Sequence, residues 1–483
     1  MALVEVPKEF PTKLFINGEF VDAADGRTSD NINPATEDVI AKIAMAGKTD
    51  LDAAVEAAKQ AQPAWGSAPP AKRAGAIWKI GDEIMKRRHE FAALEAMDSG
   101  KPYRECFNID VPMAADHFKY YAGVLRSLQG ETIPVNDNLF VYTLREPLGI
   151  VAGITPWNFL LLMAARKIAP AIAAGNAVIL KPASPTPLTA TLLAECIAQT
   201  KVPAGIVAVL NGKGSEIGQA IVEHPDIAAI SLTGSTSVGV KMIKDAAPTL
   251  KKLTMELGGK SPNVIFADAD LDTAVKGAQA AIFYNKGEVC TAGSRLFVED
   301  KVYDEAVEKL AARANKMTCA DPLDEECRWG PQNNKAQFDT TMDYIEKGKA
   351  EGAKLVAGGE RMTEKGYFVK PTVFADCTPD MTIVKEEIFG PVLAVQKFSE
   401  FDELVEKANG SEYGLAAGVW TRDVSKAHKY AKAVKAGSIW VNCYNWYDSA
   451  VPYGGYKFSG YGREMGLQGL ANLTQTKSVW VQL

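Results

Sequence analysis

The stretch GIVAGITPWNFLLLMAARKIAPAIAAGNAVILKPASP, residues 149–185, decides the fold. Its first seven residues form a short apolar run that predicts a strand, and residues 160–174 predict a helix. The helix is expected to end at Gly175-Asn176, a pair suited to a helix C-terminus, and AVILK predicts a second strand. Both strands are apolar throughout, which is typical of strands buried on both faces in a parallel sheet.

The same alternation continues as far as residue 257. The segments IVAVLN, IAAISLT and KKLTMEL predict three more strands, and residues 188–199, 215–223 and 238–247 predict helices between them. Strands that alternate with helices indicate a parallel sheet with right-handed crossovers. The predicted fold class is therefore α/β, with a doubly wound sheet of the nucleotide-binding type, although a fold alone proves no activity.

A second alternating block begins near residue 261 and predicts another α/β unit. SPNVIFADA predicts a strand, Asp270 can cap the helix that follows, and SRLFVED predicts the next strand. Outside the two blocks, Asn17-Gly18 in LFINGEFV predicts a hairpin turn. The final TKSVWVQL predicts a strand at the edge of a sheet, either in this chain or in another subunit.

Composition narrows the class of protein. The chain has 483 residues, which suggests two or three domains at about 150 residues each. Its net charge is −6 and it has no polybasic run, which argues against nucleic acid and anionic membranes as partners. The most apolar segment contains Arg166 and Lys167, so it is not expected to span a membrane.

The cysteines and histidines indicate neither disulfides nor a metal site. Seven cysteines are scattered without a CxxC pair, and none of the four histidines has a second ligand at metal-binding spacing. The start of the chain shows no export signal. We therefore expect a cytoplasmic protein with reduced thiols and no bound metal.

Three residues are candidates for catalysis. Cys290 in NKGEVC follows a predicted helix, where a thiol is either a nucleophile or a small buried filler. Glu256 lies at the carboxyl end of a predicted parallel strand, where ligands bind, and the alternative is a surface ion pair. Asn158 follows another strand, and its amide can either stabilise an oxyanion or cap the next helix.

Other residues are candidates for binding a nucleotide. Lys181 ends a strand and can reach a ribose or a phosphate, unless it is only solvated. Gly234 begins the turn into a helix whose free N–H groups can bind phosphate, although the sequence there is no GxGxxG motif. Glu387 and Phe389 in KEEIFGPV can equally be a surface carboxylate and a core aromatic.

Together these motifs resemble the NAD(P)-dependent aldehyde dehydrogenase superfamily. MELGGKSPNVIFADADLD and GEVCTAGSR carry the resemblance, with PWNF before them and EEIFGPV and PYGGYKFSGYGRE after them, and it covers nearly the whole chain. The resemblance implies that Cys290 is the nucleophile, that Asn158 holds the oxyanion and that Glu256 is the general base. It also implies a cofactor site, NAD or NADP, formed by Trp157, Lys181, Ser184, Gly234, Ser235, Glu387 and Phe389.

The resemblance also implies a domain organisation. The cofactor-binding domain would comprise residues 1–125 and 148–257, and the catalytic domain residues 258–466. Residues 126–147 and 467–483 would form a small β arm that assembles a homodimer or homotetramer.

One position bears on the choice of cofactor. Ser184 stands where many NAD-preferring members carry a glutamate that would repel a 2′-phosphate. Because serine has no charge, Lys181 is free to pair with that phosphate. The sequence predicts that NADP is accepted, and a preference for NADP is the stronger form of this prediction.

The substrate is less determined. Arg166 lies two helical turns after Asn158, on the helix that lines the family's substrate tunnel, where it could bind the carboxylate or hydroxyl of a semialdehyde or small hydroxyaldehyde. The alternative is a surface arginine. Aromatic walls from Phe159, Tyr284, Trp446 and Tyr453 would instead suit aromatic or medium aliphatic aldehydes.

Two other activities compete with aldehyde oxidation. In a CoA-acylating relative, CoA rather than water takes the acyl group, but such relatives usually lack the base found here as Glu256. A thiol esterase or a non-catalytic scaffold protein would not need Lys181, Glu387 and Phe389.

Overall fold

A computed structural model of the chain describes residues 3–483. Its strands, in chain order, are β1 (Leu14–Ile16), β2 (Glu19–Val21), β3 (Thr28–Ile32), β4 (Val39–Ala44), β5 (Thr132–Asn136), β6 (Leu139–Pro147), β7 (Ile150–Ile154), β8 (Ala177–Lys181), β9 (Val207–Val209), β10 (Ala229–Thr233), β11 (Lys252–Glu256), β12 (Pro262–Ile265), β13 (Arg295–Glu299), β14 (Lys354–Ala357), β15 (Thr372–Ala375), β16 (Val392–Phe398), β17 (Tyr413–Gly414), β18 (Ala416–Trp420), β19 (Ser438–Val441), β20 (Tyr456–Lys457), β21 (Gly460–Tyr461) and β22 (Thr474–Gln482).

The helices alternate with these strands through most of the chain. They are α1 (Lys48–Gly66), α2 (Pro70–Lys86), α3 (Arg88–Ser99), α4 (Tyr103–Glu105), α5 (Val111–Val124), α6 (Leu160–Ala173), α7 (Leu188–Ala198), α8 (Gln219–Glu223), α9 (Thr236–Ala246), α10 (Leu271–Phe283), α11 (Tyr303–Asn315), α12 (Lys335–Ala350), α13 (Thr382–Lys385), α14 (Phe401–Asn409), α15 (Val424–Ala433) and α16 (Gly466–Asn472).

The first sheet has eight strands in the order β2-β1-β9-β8-β7-β10-β11-β21. Its five central strands, β9 to β11 in this order, are parallel, and they are the five strands that the sequence predicts. The hairpin β1–β2 extends one edge, and its turn residues Asn17 and Gly18 have φ angles of 51° and 84°, as a type I′ turn requires. The predicted α/β fold class is confirmed.

The order of this sheet creates a crevice between β7 and β10. From β7 the chain passes through α6 to β8 on one side, whereas β10 lies on the other side, so the strand order reverses here. Ligands of open parallel sheets bind at such a point, outside the carboxyl ends of the strands. Helix α6 packs beside this point, and every one of its residues is buried, as its nearly continuous apolar sequence leads one to expect.

The second sheet has seven strands in the order β14-β15-β16-β13-β12-β18-β19, parallel except for β14. The short connection 257–261 joins β11 of the first sheet to β12 of the second. The carboxyl edge of one sheet therefore leads directly to the amino edge of the other. Cys290 and Glu387 lie in the loops that enter β13 and β16, at the same amino edge.

A third sheet consists of β22, β6 and β5 in antiparallel order. The C-terminal strand β22 pairs with β6 of its own chain over nine residue pairs and forms the edge of this sheet, as the sequence predicts. Several large apolar side chains of this sheet are exposed, namely Ile133, Val135, Phe140, Leu144, Trp480 and Val481. Within residues 3–483, no helix has the length and apolar character needed to cross a membrane.

Candidate active site

Two cavities meet at Cys290. The larger, of about 1420 Å³, lies at the carboxyl ends of β7, β8 and β10, in the crevice described above. The smaller, of about 750 Å³, lies between α5, α6 and the segment 444–453. Cys290 lines both cavities, so its thiol stands at their boundary.

The loop that carries Cys290 is strained and firmly held. Asn285, Lys286 and Gly287 all have left-handed backbone angles, with φ of 45°, 59° and 77°. The buried ammonium of Lys286 donates to the carbonyl of Ser99 at 2.9 Å and lies 3.0 Å from the carboxylate of Glu288. For the two residues other than glycine, such angles cost of order 1–3 kcal/mol each and persist where surrounding contacts enforce them, which is common at functional sites.

Asn158 is tied to the same loop. Its Nδ2 donates to the carbonyl of Glu288 at 2.8 Å, and the side chain of Asn285 donates to the carbonyl of Asn158 at 2.8 Å. Asn158 makes no cap for α6, whose N-cap residue is Phe159 and which lacks a side-chain cap. The amide therefore faces the cysteine loop and the larger cavity, and the capping alternative is wrong.

The thiol of Cys290 has one polar neighbour at hydrogen-bonding distance among residues 3–483, the hydroxyl of Tyr453 at 3.2 Å. Burial raises the pKa of Cys290 to about 11, and the hydrogen bond from Tyr453 acts in the opposite direction. Cys290 is only half-buried by surface exposure, but a thiol with so high a pKa needs a base or a bound ligand before it becomes a thiolate near neutral pH.

Glu256 is buried at the end of β11, with 2% of its surface exposed. Neither of its carboxylate oxygens has a hydrogen-bond partner within the described chain. Burial, and then the charge of Glu464, raises the pKa of Glu256 well above its ordinary 4.5. The surface-ion-pair alternative is wrong, and a buried carboxylate with a raised pKa is a stronger proton acceptor than an ordinary glutamate.

A buried ion pair that the sequence did not reveal lies behind Glu256. The ammonium of Lys167 pairs with the carboxylate of Glu464, and it also donates to the hydroxyls of Ser231 at 3.0 Å and Thr233 at 2.7 Å. Burial lowers the pKa of Lys167 from 10.5, whereas Glu464 acts to raise it. The presence of Lys167 in an otherwise apolar helix was the available signal, because a buried cation needs a partner.

The larger cavity collects the residues predicted to bind a cofactor. All seven line it: Trp157, Lys181, Ser184, Gly234, Ser235, Glu387 and Phe389. The ammonium of Lys181 is buried and donates to the carbonyl of Pro182 at 2.9 Å, and burial lowers its pKa to about 8. Ser235 is the N-cap of α9, so the N-terminus of an eleven-residue helix borders the cavity.

Glu387 and Phe389 are fixed at the other end of this cavity. Glu387 accepts a hydrogen bond from the backbone N–H of Gly259 at 2.9 Å, and burial raises its pKa to about 7. A Cβ on Gly258 would lie 2.1 Å from the carboxylate of Glu387, so a larger residue there would displace this side chain. Phe389 has a left-handed φ of 58° and packs edge-on against Trp157, with ring centroids 5.1 Å apart.

Helix α12 supports the end of the larger cavity at which Glu387 and Phe389 lie. Sequence patterns did not single out this helix. The Nε2 of Gln337 donates to the carbonyls of Ile388 and Phe389 at 3.0 and 3.1 Å, and Gln337 and Thr340 also line the cavity. Gln337 lies about 50 residues away in sequence, in an amphipathic helix where a polar side chain is unremarkable.

The donor set of the larger cavity fits a phosphorylated dinucleotide. It offers a buried cation, a helix N-terminus and aromatic faces, which match phosphates and flat heterocycles. The half-buried carboxylate of Glu387 can accept hydrogen bonds from ribose hydroxyls.

The smaller cavity holds four of the five residues predicted to contact substrate. Phe159, Arg166, Tyr284 and Tyr453 line it. Arg166 is 5% exposed, its guanidinium lies 5.0 Å from the ring centroid of Tyr453, and no carboxylate within the described chain lies within 4.0 Å of it. The surface-arginine alternative is wrong.

Trp446, the fifth residue predicted to contact substrate, does not line the smaller cavity. Its side chain is 75% exposed, and its backbone carbonyl accepts a hydrogen bond from the indole of Trp440 at 3.0 Å. The Trp446 ring is therefore largely in solvent, and Tyr444 and Tyr447 line the wall instead.

A group of possible metal ligands lies at the edge of the smaller cavity, which Asp110 lines. Single ligand atoms of Glu95, Cys106 and Asp110 lie within 4.8 Å of one another. The buried ammonium of Lys101 pairs with Asp110 at this place, so the protein already supplies a cation there. The prediction that the chain binds no metal stays a prediction.

Comparisons with known proteins agree with this geometry. Residues 20–479 match the Aldehyde dehydrogenase family. The chain is 46% identical over 484 residues to Aldehyde dehydrogenase family 2 member C4 of Arabidopsis thaliana, covering 99% of this chain and 97% of that protein. It is 45% identical over 470 residues to the mitochondrial benzaldehyde dehydrogenase of Antirrhinum majus, covering 97% and 88%.

A solved structure is equally similar. The NAD⁺ complex of an aldehyde dehydrogenase from Bacillus cereus superposes with a TM-score of 0.98 at 46% identity, covering 100% of both chains. The family match, these identities and the shared fold lead to one conclusion: the chain belongs to the aldehyde dehydrogenase family, and it is an oxidoreductase that oxidises aldehydes with NAD or NADP.

Proposed function

We propose that Cys290 forms a covalent bond to the aldehyde carbon. The position of its thiol at the boundary of the two cavities supports this role, because a substrate in the smaller cavity then meets a cofactor in the larger one. The Cys290 thiol first loses its proton to solvent water. The thiolate then adds to the carbonyl carbon, and the C=O π electrons become an oxyanion. The Nδ2 of Asn158, with the backbone N–H of Cys290, donates to this oxyanion, and a donor of this kind contributes about 3–4 kcal/mol to transition-state stabilisation.

Oxidation converts this adduct to a thioester. Glu387, Phe389 and Trp157 would hold the nicotinamide end of a bound cofactor, which would supply the acceptor for the hydride of the substrate carbon. The chain's own residues hold the reacting groups in place: Asn158 fixes the oxygen, and Glu387 and Phe389 border the cofactor end of the site. The product of this half-reaction is an acyl group on the sulfur of Cys290.

Glu256 is proposed to complete the reaction as a general base. Its carboxylate takes a proton from water, the hydroxide equivalent adds to the thioester carbon, and the C–S bond breaks to release a carboxylic acid and the Cys290 thiolate. The burial of Glu256 and its raised pKa support this role. A CoA-acylating enzyme would need no such base.

We infer that NADP is accepted as well as NAD. The uncharged side chain of Ser184 lines the cofactor cavity and donates to the carbonyl of Gly212 at 2.7 Å. The buried amine of Lys181 lines the same cavity. Neither residue would repel a 2′-phosphate. The stronger version of this proposal is that the enzyme prefers NADP to NAD.

The proposed substrate is a semialdehyde or a small hydroxyaldehyde. Arg166 carries this proposal, because a buried guanidinium without a carboxylate partner is costly unless a ligand supplies the partner. It lines the same cavity as Cys290, so a carboxylate or hydroxyl bound to it would lie beside the nucleophile.

A second candidate class is aromatic or aliphatic aldehydes. The smaller cavity is lined by five aromatic rings, those of Phe159, Tyr284, Tyr444, Tyr447 and Tyr453. The relative from Antirrhinum majus is named a benzaldehyde dehydrogenase, which favours this class.

We also propose that the chain forms a homo-oligomer and lies in the cytoplasm. The exposed apolar side chains of the third sheet support a homodimer or homotetramer formed through the segments 126–147 and 467–483, with residues 1–125 and 148–257 as the cofactor domain and 258–466 as the catalytic domain. All seven cysteines carry free thiols, which suits the cytoplasm.

An aldehyde panel with both cofactors tests the proposed substrate. Succinic semialdehyde and glycolaldehyde should give higher kcat/KM than benzaldehyde or hexanal, and Arg166→Leu should raise their KM at least tenfold while changing that of benzaldehyde little. An unchanged KM for both small aldehydes in Arg166→Leu contradicts the role of Arg166. Acyl-CoA in place of free acid as the product would contradict the hydrolytic step.

A further inference from the structure

The hydroxyl of Tyr453 is placed to act on the nucleophile itself. It lies 3.2 Å from Sγ of Cys290, and no other side chain in residues 3–483 hydrogen-bonds to that sulfur. The ring is 5% exposed and packs with Leu415 and Met465, which form a small cluster against Cys290 and Tyr447. A phenol in so enclosed a place needs a polar partner, and the sulfur supplies it.

The direction of this hydrogen bond follows from the chemistry of the pair. Burial raises the pKa of Tyr453 well above its ordinary 10, so the phenol keeps its proton throughout the working pH range. A thiolate has no proton to give and can only accept. The guanidinium of Arg166, 5.0 Å from the ring centroid, adds positive charge beside the phenol and strengthens it as a donor.

The backbone holds Tyr453 in this position. Its N–H donates to the carbonyl of Glu464 at 2.8 Å, and the N–H of Glu464 donates back to Tyr453 at 2.8 Å. The next residue, Gly454, packs against Glu256, since a Cβ there would lie 2.7 Å from its Oε1. The dipeptide 453–454 therefore contacts both the proposed nucleophile and the proposed base.

We propose that Tyr453 donates a hydrogen bond to the Cys290 thiolate, which stabilises it and holds it on the substrate side of the boundary between the two cavities. This proposal rests on the proposed function of Cys290. It assigns the Tyr453 hydroxyl a role beyond that of an aromatic wall, since phenylalanine would form the wall equally well. The hydrogen bond would break when the sulfur attacks the aldehyde carbon. Its effect is therefore on the fraction of Cys290 that is present as thiolate, and the Tyr453 oxygen forms no covalent bond.

Other charged and titratable groups also face the sulfur. The charges of Glu387 and Glu256 disfavour the thiolate, and that of Arg166 favours it. The phenol of Tyr447 lies on the same wall and hydrogen-bonds to the hydroxyl of Thr291 at 2.6 Å. These groups stay in place when only the Tyr453 hydroxyl is removed.

The test is the pH dependence of Cys290 alkylation by iodoacetamide in Tyr453→Phe. The reaction is run on the full-length protein without cofactor and followed by mass spectrometry of the peptide that contains Cys290. A hydrogen bond to a charged group is typically strong enough to shift the midpoint upward by about one pH unit. A less stabilised thiolate is also the stronger nucleophile, so below the midpoint the rate should fall about threefold rather than tenfold.

Tyr447→Phe is the matched control, because it removes a phenol hydroxyl from the same cavity without touching the sulfur. Its alkylation rate should equal that of the wild type. The proposal is overturned if Tyr453→Phe reacts as fast as the wild type or faster, or if the two variants slow equally. Alkylation does not depend on turnover, so a failure of the covalent mechanism would show separately, as activity retained in Cys290→Ser.

Discussion

The Nδ2 of Asn158 donates a 2.8 Å hydrogen bond to the carbonyl of Glu288, two positions before Cys290. Asn158, in the loop between β7 and α6, thus connects the first sheet to the loop that carries the proposed nucleophile. The amide of Asn158 has a second N–H, and Asn158 also lines the larger cavity. The same side chain can therefore position the loop and stabilise an oxyanion.

Asn158→Ala should lower kcat about a hundredfold or more, as expected for loss of an oxyanion donor. Steady-state kinetics with a saturating aldehyde measures this. Asn285→Gly is the control, because Asn285 also donates to the carbonyl of Glu288, at 3.2 Å, and its left-handed φ of 45° tolerates glycine. Equal losses in the two variants would show that Asn158 acts only by holding the loop.

Glu256→Gln should slow steady-state turnover about 10²- to 10⁴-fold, because a general base contributes that much. The first turnover should still release reduced cofactor, since hydride transfer precedes hydrolysis. Stopped-flow absorbance at 340 nm separates the two phases. A variant that turns over at the wild-type steady rate is incompatible with Glu256 as the base.

The pH profile of kcat should report the same residue. Burial raises the pKa of Glu256, and a base acts only when deprotonated, so activity should be lost as pH falls through that raised pKa, well above 4.5. In Glu256→Gln this acid limb should disappear. An acid limb that persists unchanged in the variant belongs to another group.

The effects of substituting Lys167 and Glu464, the buried ion pair near Glu256, on the free energy of unfolding should be coupled. Glu464→Gln leaves the buried ammonium of Lys167 without its carboxylate, which should cost about 3 kcal/mol of unfolding free energy. The double variant Lys167→Met/Glu464→Gln should be less destabilised than the sum of its single variants by at least about 1 kcal/mol. Guanidinium-induced unfolding measures all three, and strictly additive losses would mean that the two side chains do not interact.

The choice of cofactor should depend on Ser184. Ser184→Glu introduces a carboxylate into the cofactor cavity, and kcat/KM with NADP should fall at least tenfold, or about 1.4 kcal/mol. The value with NAD should change less than about threefold. Ser184→Ala controls for the lost hydrogen bond to Gly212. A wild-type enzyme that already prefers NAD by tenfold argues against the role proposed for Ser184.

Local patterns were enough to predict the elements that frame the site. The strands β7 to β11 and the helices between them are each recognisable from a short apolar run or a 3.6-residue period. The structure contains these elements because each one buries its own apolar face. The Asn17-Gly18 turn was predictable for the same reason, since the backbone angles of a type I′ turn restrict its residues.

Contacts between distant segments were not predictable in this way. Lys167 and Glu464 are separated by 297 positions, and Tyr453 and Cys290 by 163, so no local period connects either pair. The sequence predicts Trp446 as part of an aromatic wall, yet its side chain is 75% exposed and does not line the smaller cavity. Pairings of this kind depend on how the two sheets and the segment 444–465 pack together.

The covalent bond at Cys290 is tested most directly by rapid-quench mass spectrometry of the enzyme during turnover of an aldehyde with NAD or NADP. We expect an acyl group on the peptide that contains Cys290, accumulating in Glu256→Gln, and a loss of at least about a thousandfold in kcat for Cys290→Ser, or about 4 kcal/mol. Turnover of Cys290→Ser at the wild-type rate, or an acyl group on a different residue, would contradict it.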